Sequence, residues 1–193
     1  MARPLFDHAD FLAAALALAA AHGPQAVTVA AITEHLKAPT GSFYHRFKSR
    51  DVLLGELWLA TVLDFQQGVE TALAAGNGLT AALHTPAWVR GHLEQARLLL
   101  LHHRDDFVQG DWPEPLRVRV AEHTQRSRAR LEQFARDTFG RAGREEIRRV
   151  QFVVAEVPVA AVRQHLYRRE LPPPIVDDLI RTTYRAVMRP RWK

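Results

Sequence analysis

The strongest constraint on this chain is a helical periodicity that runs almost unbroken and is interrupted only by glycine and proline. Apolar residues recur at spacings of three and four through nearly every segment, and no segment sustains the alternation with turn pairs that a sheet needs. The interruptions fall at Gly23-Pro24, Pro39, Gly76-Asn77-Gly78, Gly110 with Pro113 and Pro115, Gly140 with Gly143, and Pro172-Pro173-Pro174. The spacing between them predicts helices over 6–22, 28–36, 40–47, 50–75, 80–82 extending toward Leu83, 86–103, 113–139, 144–170 and 174–188. The expected fold class is therefore all-α. The first three helices are short with tight turns between them, and the fourth is long. That contrast predicts a three-helix N-terminal domain at residues 1–52 and a larger helical domain at 53–193, joined through a shared helix. A helical connection carries rigid-body motion better than a flexible linker.

Composition narrows the possible partners and chemistry. The chain has 193 residues, enough for a substantial core, and a formal charge of +5. The excess is unevenly placed along the chain. Before Gly55, the cations Arg3, Lys37, Arg46, Lys48 and Arg50 are nearly balanced by Asp7, Asp10, Glu34 and Asp51, and most surplus arginine lies beyond Arg117. Net charge alone therefore nominates no partner. There is no cysteine, which excludes disulfides, thiol nucleophiles and cysteine-ligated zinc. No apolar run reaches the roughly 18 residues of a membrane span, so no membrane partner is expected. The apolar stretch 11–21 has the look of a signal-peptide core, but Asp7 and Asp10 precede it where a leader is basic. Its alanines favour a buried first helix, and the expected compartment is the cytoplasm. The chain has no phosphate loop, no HExxH or HxxxH pair and no Gly-x-Ser-x-Gly turn, so neither an enzyme, a metal nor a cofactor is expected.

The informative stretch is 28–47. Thr28 is a candidate N-cap, and Ala31, Ile32 and Leu36 repeat at helical spacing toward a core. A three-residue turn, Lys37-Ala38-Pro39, follows. The next helix sets Phe43 and Phe47 four apart on one face and Thr40, Ser42, Tyr44, His45 and Arg46 on the other. Small hydroxylated, aromatic and basic groups of this kind suit base edges and phosphates. From His35 to Arg50 there is no acidic residue, while Lys37, Arg46, Lys48 and Arg50 are cationic. Tyr44, flanked by two inward phenylalanines, also admits a place in the core.

Residues 6–54 resemble the DNA-binding domain of the TetR family of transcription regulators. The resemblance rests on Gly23 and Val27 at the first turn, Thr28-Val29 with Ile32, and Gly41-Ser42-Phe43-Tyr44-His45-Arg46-Phe47. It continues through Ser49-Arg50-Asp51 and Leu53-Leu54. It implies a helix-turn-helix whose second helix, bearing Tyr44 and His45, enters the major groove of double-stranded operator DNA. It also sets Thr28 and Arg50 near phosphates and lets the backbone approach DNA closely at Gly41. The expected DNA-binding set is Thr28, Lys37, Thr40, Gly41, Ser42, Tyr44, His45, Lys48 and Arg50. Two positions depart from the family pattern. Lys37 stands at the usual turn glycine, which costs on the order of 1 kcal/mol if φ is positive. Pro39 replaces the usual serine cap and leaves the cap hydrogen bond to another group, with Thr40 as the candidate.

For the C-terminal body the resemblance implies a pocket for a small organic effector and a homodimer built on the last two helices. Phe152-Val153-Val154-Ala155 with Val157, Val159 and Val162, and Ile175, Val176, Leu179, Ile180, Tyr184 and Val187, supply apolar faces for a four-helix interface or for an intrachain core. Pro158 predicts a kink. Glu156, inside an apolar run, reads either as a polar anchor in the pocket or as a salt bridge to an arginine at the dimer interface. Trp88, His92 and Gln95 fall on one helical stripe. With Phe107, Trp112, Phe152 and Glu156 they form the expected effector-binding set, against the plainer reading of core tryptophans and surface histidines. The arginine-rich stretch 117–149, interspersed with acids, reads as a solvated face. The overall expectation is a DNA-binding regulator, a homodimeric repressor released by its effector. The alternative is a DNA-binding or helical interaction protein with a filled core and no effector.

Overall fold

The computed structural model describes residues 6–107 and 112–189, and among these every regular element is helical. The break expected at Gly110 lies outside the described residues. In chain order the α-helices are α1 His8–His22, α2 Val29–Leu36, α3 Thr40–Tyr44, α4 Arg50–Ala74, α5 Gly78–Gly91, α6 Leu93–Leu101, α7 Glu114–Phe139, α8 Arg144–Gln151, α9 Val157–Arg168 and α10 Ile175–Met188. Short 3₁₀ turns occur at Pro24–Ala26 and Arg104–Asp106, and a π-helical turn, Phe152–Glu156, joins α8 to α9. No helix among the described residues is long and apolar enough to cross a membrane.

Packing gathers the chain into two compact units, one from 1–62 with 94–120 and one from 63–93 with 121–193. Helices α4 and α7 contribute residues to both.

The first unit is built on aromatic residues and alanine. Asp7 caps α1, accepting hydrogen bonds from the N–H groups of Ala9 (2.9 Å) and Asp10 (3.1 Å). The Asp10 carboxylate accepts from the Asp7 N–H at 2.6 Å. This reciprocal box satisfies donors that a helix start leaves open. Phe11, Ala14, Ala15 and Ala19 of α1 are buried with Ile32, Phe43, Phe47, Leu53, Leu54, Leu98 and Phe107. Phe43 and Phe47 lie with ring centroids 5.6 Å apart, and Phe11 meets Phe43 edge-on at 5.9 Å. Each such ring stabilises the fold by roughly 1.5–3 kcal/mol through area removed from water.

In the second unit, Phe134, Leu73, Val150, Val153 and Val154 form a core with Ala72, Ala81 and Ala135. The sequence predicts a break before Pro86. Instead Pro86 lies buried inside α5, which runs to Gly91, and the break falls at His92. One missing N–H does not end a helix whose remaining turns are packed. The kink expected at Pro158 takes a specific form. Proline cannot donate an i→i−4 bond, and the chain widens into the π turn immediately before it. Arg90 ties α5 to the start of α10. It donates to the Pro172 carbonyl at 2.9 Å and to both Asp177 carboxylate oxygens at 3.0 and 3.1 Å.

Candidate nucleic-acid interface and the cavities of the body

Helix α2 starts from Thr28, whose Oγ1 accepts the Ala31 N–H at 3.0 Å. The hydroxyl keeps its own proton free to donate to a further acceptor. Helix α2 ends at Lys37 in the left-handed region, φ 53°, the strained conformation foreseen for a residue at the turn-glycine position. Pro39 then occupies the N-cap of α3 without a side-chain cap bond, so Thr40 does not supply one. The short helix survives because its inner face is clamped. Phe43 and Phe47 are 0% and 1% exposed, whereas Tyr44 between them is 59% exposed. That removes the core reading for Tyr44. Thr40, Gly41, His45, Lys48, Lys37 and Thr28 are also exposed, and Ser42 is half-buried. No side chain or backbone lies within 4 Å of where a Cβ on Gly41 would sit. The fold itself therefore has no steric need for glycine there.

Two cations of this region point inward. The Arg46 guanidinium donates to the Ser42 carbonyl at 2.9 Å and to the Phe6 carbonyl, and sits 5.5 Å from the Phe11 ring centroid. Arg50, expected near a phosphate, donates instead to the carbonyls of Val27 and Pro24 (the latter at 2.8 Å) and pairs with Asp51 at 3.2 Å. These bonds hold the turn before α2 against the start of α4. A phosphate would have to compete with three acceptors already in place. The exposed positive charge of this face comes from Lys37 and Lys48.

The expected effector set is dispersed. Trp88 and His92 stack at 5.0 Å with planes 16° apart, and the indole N–H donates to Asp64 at 2.8 Å. With His84 they line an open groove of about 610 Å³. Gln95 does not join them, because α5 ends before His92 and Gln95 belongs to α6. Phe107 is fully buried in the first unit's core, and Trp112 packs on Trp58 at 6.4 Å. Phe152 is exposed. Glu156 is exposed and ion-paired with Arg148 of the same chain, so it is neither a buried anchor nor committed to an interface. None of Gln95, Phe107, Trp112, Phe152 and Glu156 lines the cavities described here.

The residues that do line the body's polar cavity were missed in the sequence. A space of about 520 Å³ is bordered by Gln67, Glu70 and Thr71 of α4 and His123, Arg126 and Arg130 of α7. A smaller one, about 130 Å³, is bordered mainly by apolar side chains, among them Phe65, Val69, Leu73 and Val154. His123 is 6% exposed. Burial pushes its imidazole below its ordinary range, the Glu70 carboxylate 3.9 Å from Nδ1 opposes that, and Arg126 adds to it. The periodicity held a usable signal. Positions 67, 70, 71 and 74 share one face of α4, and 123, 126, 127 and 130 share one face of α7. Nothing in the sequence said that these faces meet. The solvated reading does describe their neighbours, since Arg128 pairs with Glu132 and Arg149 with Glu145, both four residues apart. Among the described residues no cluster of three or more His, Asp or Glu side chains is placed to hold a metal ion.

Against known proteins, the family model described as bacterial regulatory proteins, tetR family, matches residues 11–57. These span α1 to α3 and the first turns of α4. No curated protein matches the chain.

Proposed function

We infer that this chain, a DNA-binding transcription regulator belonging to the TetR family of bacterial regulatory proteins, acts as a homodimeric repressor that a small organic effector releases from its operator. The observation that carries the reading is the division of α3 and the turn that follows it, with Phe43 and Phe47 sealed beneath and Tyr44 and His45 exposed above. A helix of this kind lays its exposed side on base edges, while Thr28, Lys37 and Lys48 contact phosphates.

A dimer is supported by exposed apolar groups gathered at the chain's end. Tyr167 of α9, Leu171 of the following turn, and Ile175 and Leu179 of α10 are all more than half exposed. Large apolar side chains at spacings of four suit a self-complementary face. Two copies then read half-sites roughly 34–36 Å apart. The cavities along α4 and α7 favour an effector over a filled core. To release DNA, the effector must bind the non-binding arrangement of the dimer more tightly than the binding one.

Selection of duplexes from a randomised pool tests the reading. The expected product is an inverted repeat with centres one helical turn apart, bound by two chains. Recovery of no preferred sequence, or of a single site bound by one chain, would overturn it.

A further inference from the structure

We propose that the second unit holds a binding site for a small monocarboxylate with an apolar tail, formed by residues 63–74 of α4 and 123–130 of α7. The proposal rests on the effector reading above and names the chemistry of that effector.

Four observations converge. The first is charge. Arg126 and Arg130 border the polar cavity, and among the described residues neither has an ion-pair or hydrogen-bond partner. Two other arginines of α7 do have partners: Arg128 with Glu132, and Arg136 with Gln133. The second is that the acid in the cavity is already engaged. The Ser127 hydroxyl lies 2.7 Å from both a Glu70 carboxylate oxygen and the Gln66 side-chain amide. One hydroxyl carries one proton, so Ser127 donates either to the Glu70 carboxylate or to the Gln66 carbonyl oxygen. Two guanidinium groups against one carboxylate leave a single uncompensated positive charge. Guanidinium forks match a carboxylate in shape and bind it through charge-assisted hydrogen bonds.

The third is His123. It is 94% buried, and its Nε2 has no hydrogen-bond partner among the described residues. The ring lines the cavity, and an unpaired imidazole nitrogen beside it is a polar group that a water or a bound molecule reaching it would satisfy. The fourth is the apolar annex. Glu70 and Arg130 border both the polar cavity and the smaller apolar one. A ligand held by Arg130 therefore has an apolar recess beside its polar end. A space of about 130 Å³ is comparable to cavities that accept a benzene-sized group. A cation is disfavoured by Arg126 and Arg130, and a wholly apolar ligand would leave both guanidinium groups unpaired.

Titration calorimetry on the full chain tests this with hexanoate and benzoate, their neutral amides, and hexylamine. At least one carboxylate is expected to saturate at one per chain and to bind tenfold or more tightly than its amide. Arg126→Gln and Arg130→Gln should each weaken that binding by roughly tenfold or more. Arg128→Gln, on the solvated side of the same helix, should leave it unchanged. Thermal melts of each variant identify any that fail to fold, and Arg130→Lys, which keeps the charge but not the fork, should retain part of the affinity. Absence of carboxylate binding, equal binding of the amide, preference for hexylamine, or variants that bind as well as the native chain would each overturn the proposal. DNA release is measured separately with the same compounds. Carboxylate binding without release confirms the site and removes its effector role, so the two readings fail independently.

Discussion

The surface of α3 and the cavity between α4 and α7 are both polar faces on apolar backing, yet they relate to the sequence in opposite ways. The α3 face comes from consecutive residues, and the helical period alone sorts Phe43 and Phe47 from Tyr44 and His45. The cavity draws on residues more than fifty positions apart, so it exists only because two particular helix faces meet. Their cations differ as well. Arg46 and Arg50 sit in the stretch that looked most electropositive, and both are bound to backbone carbonyls. Arg126 and Arg130 sit in a stretch that read as a salt-bridged surface, and neither is paired among the described residues. A count of charges along a chain therefore does not say which of them a partner can reach.

The comparison can be broken at several points. Phe47→Ala should have the largest effect, destabilising the first unit by about 3–5 kcal/mol because a fully buried ring leaves a cavity. Denaturant unfolding would read this directly, and a loss below about 1 kcal/mol would contradict the clamp beneath α3. Arg50→Ala should come next, at about 2 kcal/mol, since it strips hydrogen bonds from the Pro24 and Val27 carbonyls. If instead stability holds while affinity for every DNA sequence drops and the salt slope flattens, Arg50 acts on phosphates rather than as an internal tie.

Gly41→Ala and Tyr44→Ala test the outer face. Both should leave the fold intact, and alanine at 41 can raise helix stability by up to about 1 kcal/mol. Binding to the selected duplex should nonetheless weaken, by about 1–3 kcal/mol for Tyr44 if it reads a base edge. Unchanged affinity in both would move the interface off α3.

The smallest expected effect is a dependence of stability on pH shared by both units. Burial lowers the pKa of His102 in the first unit and of His84 and His123 in the second below 6.5. The unfolded chain then binds protons that the folded chain refuses, so stability is full above about 6.5 and declines as pH falls through the lowered folded values. Melting temperatures from pH 7.5 to 5.5 should fall, and His123→Gln should flatten part of the slope. A level profile would mean these imidazoles accept protons without cost.

Much of the fold was legible without coordinates. Helix positions follow from apolar spacing and from punctuation at Gly23-Pro24, Gly76 and Pro172, because backbone geometry at these residues is a local matter. Two readings of proline show the limit. The sequence predicts a break at Pro86, which is carried inside α5, and a kink at Pro158, which sits just beyond a π turn. Whether a proline ends a helix depends on how firmly the adjoining turns are packed, which a single segment does not encode.

Residue order by itself determined the all-helical class, the helix-turn-helix and which side of α3 faces outward, since each depends on neighbours within one or two turns. Tertiary structure alone decided that Phe107 and Trp112 are core, that Glu156 pairs on the surface with Arg148, and that His123 and Arg130 border one cavity with Glu70. Those outcomes turn on which apolar faces find each other. Hydrophobic burial is non-directional and therefore leaves no local mark on the residues that end up facing one another.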